Sequence, residues 1–219
     1  MHCGKSCGKT KRNYDVKGRI SHGNSYAIVA DTAKLLAIYG QYIDTPITFE
    51  YEIPTQAEFS ARIAGILAEY PYLVWEEDGR ILGYGYAHRH MERAAYQWNA
   101  ELSLYLDRDA RGKGLGRRMY GALLELLKMQ GVLTAHALVT DPNPASQALS
   151  VSMGLHKTAV HRKAGYKNGA WWDVLWYEKE LAPRGKDPTP PVALNTLPPE
   201  QVQAVLDAFS GAEGTPEKS

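Results

Sequence analysis

Cysteine is scarce in this sequence: 219 residues contain two, Cys3 and Cys7, both in a polar stretch at the start. A disulfide-stapled fold is therefore excluded, and a cytoplasmic setting is the default. Charge of one sign is also lacking, since 25 Lys and Arg face 24 Asp and Glu for a net charge of +1. A nucleic-acid or polyanion binder would carry a marked basic surplus. No apolar run approaches the ~18 residues of a membrane-crossing helix. The opening MHCGKSCGKTKRNY has no apolar segment of the secretory kind. What remains is ordinary globular composition, 44% apolar and 22% charged, on a length that suits one well-buried core. Tyrosine, at 14, and tryptophan, at 5, are plentiful enough to wall a pocket as well as to pack.

Residues 1–22 read as a basic flexible leader. Within it, Gly4-Lys5-Ser6-Cys7-Gly8-Lys9-Thr10 imitates a nucleotide phosphate loop. The first glycine of that pattern falls on Cys3, however, and no strand precedes it. His2, Cys3, Cys7 and His22 fit no common zinc spacing, so no metal is expected.

Residues 26–30 (YAIVA) read as a strand, and Asp31 as the N-cap of a helix to about residue 43. An extended segment is expected over 47–50. Thr55-Gln56-Ala57-Glu58 has the form of a capping box opening a second helix, which Pro71 ends. Asp78-Gly79 marks a hairpin between strands 72–76 and 80–88. Strands over 96–106 and 132–139 flank a helix that starts near Leu115 and stops at Gly131. Asn143-Pro144 opens a shorter helix ended by Gly154, and strands 156–163 and 171–180 close the domain. The domain expected from this pattern spans 23–182, and residues 183–219 read as a flexible tail with one short helix over 199–209, a candidate to dock on the domain. This α/β order implies one mixed sheet with helices on both faces.

The most informative stretch is Arg111-Gly112-Lys113-Gly114-Leu115-Gly116, lying between a strand and an amphipathic helix. Alternate glycines let the backbone turn tightly and expose its N–H groups, and the helix behind adds its free N–H groups and dipole. The result is an anion cradle suited to a pyrophosphate. The spacing is not that of a dinucleotide fold, which needs G-x-G-x-x-G and an acid at the end of the next strand. That strand ends in Val139-Thr140.

Arg111-x-x-Gly114-x-Gly116 after a strand, with Asn143-x-x-Ser146 opening a later helix, resembles the GNAT superfamily of acetyl-CoA-dependent N-acetyltransferases. Within it the chain is most similar to the phosphinothricin and methionine-sulfoximine acetyltransferases. That similarity runs through Thr48-Phe49-Glu50, through residues 93–101 (RAAYQWNAE), and through Gly165-Tyr166-Lys167-Asn168-Gly169 leading to Trp172-Asp173-Val174. The resemblance implies a GNAT fold with a mostly antiparallel sheet, acetyl-CoA as cosubstrate, a small amino-acid-like amine as acceptor, and a homodimer.

It also implies site residues. Glu101 matches the proposed general base, which strips the ammonium proton before the amine attacks the thioester. On a strand of otherwise apolar residues, partial desolvation is expected to raise its pKa. Backbone groups of Leu104, Tyr105 and Leu106 correspond to those that bind the pantetheine arm, and Arg111, Gly112, Lys113, Gly114, Leu115 and Gly116 to those that hold the pyrophosphate. Asn143 and Ser146 correspond to further coenzyme contacts. Arg93 with Tyr96 matches the positions that bind an acceptor carboxylate, Phe49 and Glu50 shape the acceptor pocket, and Asp173 stands where the family has a His-Asp pair. Two departures stand out: Ser150 replaces the family's tyrosine or histidine acid, and Trp172 replaces the histidine before Asp173. His88, His90 and His161 read as surface or hairpin residues rather than ligands. Two alternatives stay open: acetylation of another small amine, such as an antibiotic or polyamine, and a non-catalytic acetyl-CoA-binding sensor.

Overall fold

A computed structural model describes residues 22–211; the phosphate-loop imitation and both cysteines lie outside this range. Seven strands form one sheet in the order β1-β2-β3-β4-β5-β7-β6. They are β1 (His22–Tyr26), β2 (Tyr72–Glu77), β3 (Arg80–Arg89), β4 (Asn99–Leu106), β5 (Thr134–Asp141), β6 (His156–Lys167) and β7 (Ala170–Glu180). Five helices cover it: α1 (Thr32–Gly40), α2 (Gln56–Leu67), α3 (Leu115–Gln130), α4 (Pro144–Ser152) and α5 (Pro199–Ala208). Only β4 and β5 pair in parallel, so the sheet is mixed and mostly antiparallel.

Alternation along β2 shows how both faces are filled. Leu73 and Trp75 point into a core with α3, while Tyr72 and Val74 point into a second core with α1 and α2. The local signals act as their chemistry dictates. Thr55 Oγ1 accepts from Glu58 N–H at 3.3 Å while Glu58 Oε2 accepts from Thr55 N–H at 2.8 Å, starting α2. Asp78 and Gly79 both take positive φ, 49° and 76°, the pairing that a two-residue hairpin turn requires.

Three segments differ from the sequence expectation. The first strand is the polar HGNSY, not YAIVA. Asp31 Oδ2 accepts from the N–H of Ile28 at 2.9 Å, which bends Val29–Asp31 into a 3₁₀ turn and cuts the apolar run short. Residues 47–50 form no strand and cross over the β6 end of the sheet, where the Phe49 ring lies on Gly165. An added Cβ at Gly165 would stand 2.3 Å from that ring.

The third is the segment after 183, where the short helix docks as the sequence allowed, but the stretch before it is tied down rather than flexible. Leu194, Val202 and Leu206 are buried in the main core. Phe209 rests on Gly121 of α3, where an added Cβ would approach it to 2.4 Å. Ser210 Oγ accepts from the N–H of Asn24 in β1 at 2.8 Å, and Gln130 Nε2 donates to the Val192 carbonyl at 2.8 Å. Apolar side chains at helical spacing in 199–209 bury a stripe, and the strap before them is tied by backbone acceptors.

Candidate active site

The parallel pair makes the site. β4 and β5 are in register only from Asn99 with Thr134 to Glu101 with His136. Beyond that point β4 stays with β3 and β5 stays with β7, so the two strands part. The gap between them is a cleft of about 390 Å³, lined by residues 102–106 of β4, 137–140 of β5, the loop before α3 and the start of α4. One edge of β4 therefore faces the cleft without a ladder partner, ready to pair with an extended ligand arm.

The loop enters this cleft from the far end. Gly112 and Gly114 both have φ of 77°, the left-handed region that glycine enters freely. Gly114 is the N-cap of α3 and supplies no side-chain acceptor, so the first-turn N–H groups open onto the cleft. Gly116 serves differently: an added Cβ would come within 3.2 Å of Leu104, so its smallness lets α3 lie close to β4. The Arg111 guanidinium sits 5.0 Å over the Tyr42 ring, and Tyr42 OH donates to the Leu106 carbonyl. The cation is thus tied to the end of β4.

Of the expected coenzyme residues, Leu104, Tyr105, Leu106, Arg111, Gly112, Gly114, Leu115, Gly116, Asn143 and Ser146 all line this cleft, and Lys113 lies in the loop beside it. Asn143 caps α4, its Oδ1 accepting from Ser146 N–H at 3.3 Å. Ser150 is buried and donates to the Ser146 carbonyl at 2.9 Å, so its proton is already engaged. Tyr120 lines the cleft one turn beyond Gly116, and its buried phenol is held protonated, chiefly by burial. Sequence reading passed it over as one more aromatic in an apolar helix, although its i+4 spacing from Gly116 points it the same way.

Glu101 stands where the two strands part, its side chain 19% exposed. The expected apolar surroundings are absent. His90 Nδ1 lies 3.3 Å from Oε2, and His88 Nε2 lies 3.8 Å from Oε1. His90 stacks on His136 at 4.1 Å between ring centroids and meets Trp176 edge-on, while His161 packs against that tryptophan at a tilt. Burial, then the neighbouring His90 and Arg184, push the His136 imidazole down to about 4, so it is neutral near pH 7. His136 Nε2 and Asn99 Oδ1 are 2.9 Å apart, which makes the imidazole the donor. His88 and His90 do lie in the β3–β4 hairpin, as the sequence reading had it, but the register sets His88 opposite Glu101, and His90 follows one pleat later on the same face.

The expected acceptor residues are more scattered. Phe49 closes over Gly165, and Glu50 Oε1 accepts from Arg62 at 2.5 Å. Arg93 is exposed in the loop after β3, with its carbonyl accepting from Tyr96 N–H at 2.9 Å, and Tyr96 is also exposed. Asp173 does not offer a free carboxylate. Its Oδ1 accepts from Lys163 N–H and its Oδ2 from Arg162, both at 2.8 Å, which clamps the bulge in β6 and holds its carboxyl below the usual range. Among the described residues no group of three or more His, Cys, Asp or Glu is arranged to hold a metal ion.

The sequence and the fold are both similar to those of known proteins. The chain is 32% identical over 156 residues to phosphinothricin N-acetyltransferase of Streptomyces viridochromogenes, covering 71% of this chain and 85% of that one. It is 31% identical over 166 residues to L-methionine sulfoximine/L-methionine sulfone acetyltransferase of Pseudomonas paraeruginosa, covering 73% and 95%. A GNAT superfamily phosphinothricin acetyltransferase of Sinorhizobium meliloti, solved in complex with AcCoA, superposes with a TM-score of 0.75 at 30% identity, covering 81% and 98%. The family model described as acetyltransferase (GNAT) domain matches residues 27–176. The chain belongs to the GNAT family of N-acetyltransferases.

Proposed function

We infer that this acetyl-CoA-dependent N-acetyltransferase acetylates the α-amine of a small glutamate- or methionine-like amino acid by direct attack, with Glu101 as general base. The observation that carries the reading is the placement of Glu101 at the last paired position of the parallel β4–β5 segment, next to the 102–106 stretch that lines the cleft. Acetyl-CoA is the donor. Its pyrophosphate is assigned to the N–H groups of 111–116 with Arg111 and Lys113 as counter-charges, and its pantetheine arm to the open edge of β4 at 104–106. An N–H on that edge polarises the thioester carbonyl. A substrate ammonium gives its proton to Glu101, the free amine attacks, and the thiolate leaves with little help, because a thiol's pKa is ~8.5. The engaged Ser150 hydroxyl is not needed as an acid.

Arg93 is assigned to the acceptor carboxylate, which a planar guanidinium pairs well. The names of the relatives, phosphinothricin and methionine sulfoximine acetyltransferases, support this class of acceptor. A second reading, another small amine, draws on the exposure of Arg93 in the loop after β3, where it does not line the cleft. Arg93→Ala discriminates: it raises KM for an amino-acid acceptor and leaves KM for a carboxylate-free amine unchanged. Glu101→Gln is expected to lower kcat by about 10²–10⁴. A homodimer and a cytoplasmic setting belong to the same proposal. Both are supported by the family likeness; among the described residues no helix is long and apolar enough to cross a membrane.

A further inference from the structure

The geometry points to Glu101 acting as the first member of a proton relay, with His90 fixing its carboxylate and His88 carrying the proton to solvent. This rests on the reading of Glu101 as general base and adds two residues to it. His88 Nδ1 lies 2.9 Å from the Arg89 carbonyl, an acceptor only, so Nδ1 carries the hydrogen. In the neutral ring the Nε2 lone pair then faces Glu101 Oε1 at 3.8 Å. With Nδ1–H engaged, Nε2 is the ring's acceptor and stands toward Glu101 Oε1, open to a proton that arrives there. Distances of this length close on substrate binding through small side-chain rotations.

His90 has the other role. Only 6% of its side chain is exposed, its ring is fixed by the His136 stack and the Trp176 edge, and its Nδ1 reaches Oε2 at 3.3 Å. It is a positioning residue. The proton balance is simple. The substrate N–H bond breaks with its electron pair left on nitrogen, and an O–H bond forms on Glu101. That proton passes to His88 Nε2, and the imidazolium releases it to water at an edge where 35% of the side chain is exposed. The ionisable groups facing this trio are Tyr86 from β3, His136 from β5 and His161 from β6 behind Trp176. Tyr120 lies across the cleft, Glu50 and Arg62 act through Tyr86, and Arg184 acts through His136.

The test compares kcat, KM and pH profiles of Glu101→Gln, His88→Ala, His90→Ala and His90→Asn, with acetyl-CoA binding by calorimetry as the check on folding. His88→Ala is expected to lose about 10–100-fold in kcat, less than the base itself, with unchanged acetyl-CoA affinity. Added imidazole is expected to restore its rate in proportion to its unprotonated fraction. His90→Asn, which keeps a donor near the Nδ1 position, is expected to recover most of the rate lost in His90→Ala. Unchanged kcat and pH profile in His88→Ala overturn the relay, as does a loss that imidazole does not restore. If Glu101→Gln itself keeps its rate and pH profile, the base assignment fails first. If Glu101→Gln is inactive, the His88 and His90 arms alone decide.

Discussion

Acid should destabilise this protein through His136, and the size of the effect follows from its surroundings. The imidazole is 9% exposed, stacked on His90, and held down to about 4 against an ordinary 6.5. A depressed histidine pKa means that the unfolded chain binds the proton first as pH falls, so stability drops from about 6.5 toward 4 and is flat below that. Between pH 7.5 and pH 5, linkage for such a pair of values gives about 2 kcal/mol, and solvent screening trims this to about 1–2 kcal/mol. Urea unfolding of the wild type and of His136→Gln at both pH values isolates the term, because other groups cancel in the double difference. Gln keeps a donor for Asn99 without titrating in this range. The expected result is a wild-type acid loss larger than the variant's by that amount. Equal losses would show that His136 is charged in the folded state, and would refute the neutral stack beside His90.

Gly114→Ala meets no atom within 4 Å of the added Cβ, so its penalty is the left-handed backbone alone, about 1–2 kcal/mol. That corresponds to about 3–6 °C in Tm, together with weaker acetyl-CoA binding by calorimetry; unaltered binding would detach the loop from the coenzyme. Leu206→Ala, at a 1% exposed site, is expected to cost about 2–4 kcal/mol in urea unfolding, whereas a loose tail would show no change. Asp173→Asn is expected to lower stability and leave acceptor KM unaltered, because both oxygens serve the β6 bulge; a raised KM would return it to the acceptor pocket.

The parts of the fold legible in the sequence are those fixed by neighbours along the chain. The Thr55 capping box, the Asp78-Gly79 turn, Pro144 at the start of α4 and the glycine cradle each need only a few consecutive residues, and each appears as read. The misread parts depend on distant partners. HGNSY becomes a strand because it pairs with β2, about 50 residues away, and is tied to Ser210 through Asn24, and no periodicity carries that information. The docking of α5 had two local signs, the apolar stripe at helical spacing in 199–209 and the glycine at 121 inside α3, which marks a close approach. The histidines around Glu101 come from β3 and the loop after it, from β5 and, through Trp176 of β7, from β6. Only the strand register brings them together, so spacing along the chain gave them no more weight than surface residues.

The central claim is that this cleft acetylates an amino-acid α-amine. The most direct measurement follows free-thiol release from acetyl-CoA while phosphinothricin and methionine sulfoximine are compared with aminoglycosides and polyamines. Thiol release with the two amino-acid compounds, in strong preference to the other amines, is the expected result. Release only with carboxylate-free amines would contradict the acceptor assignment, and acetyl-CoA binding without release for any amine would contradict catalysis itself.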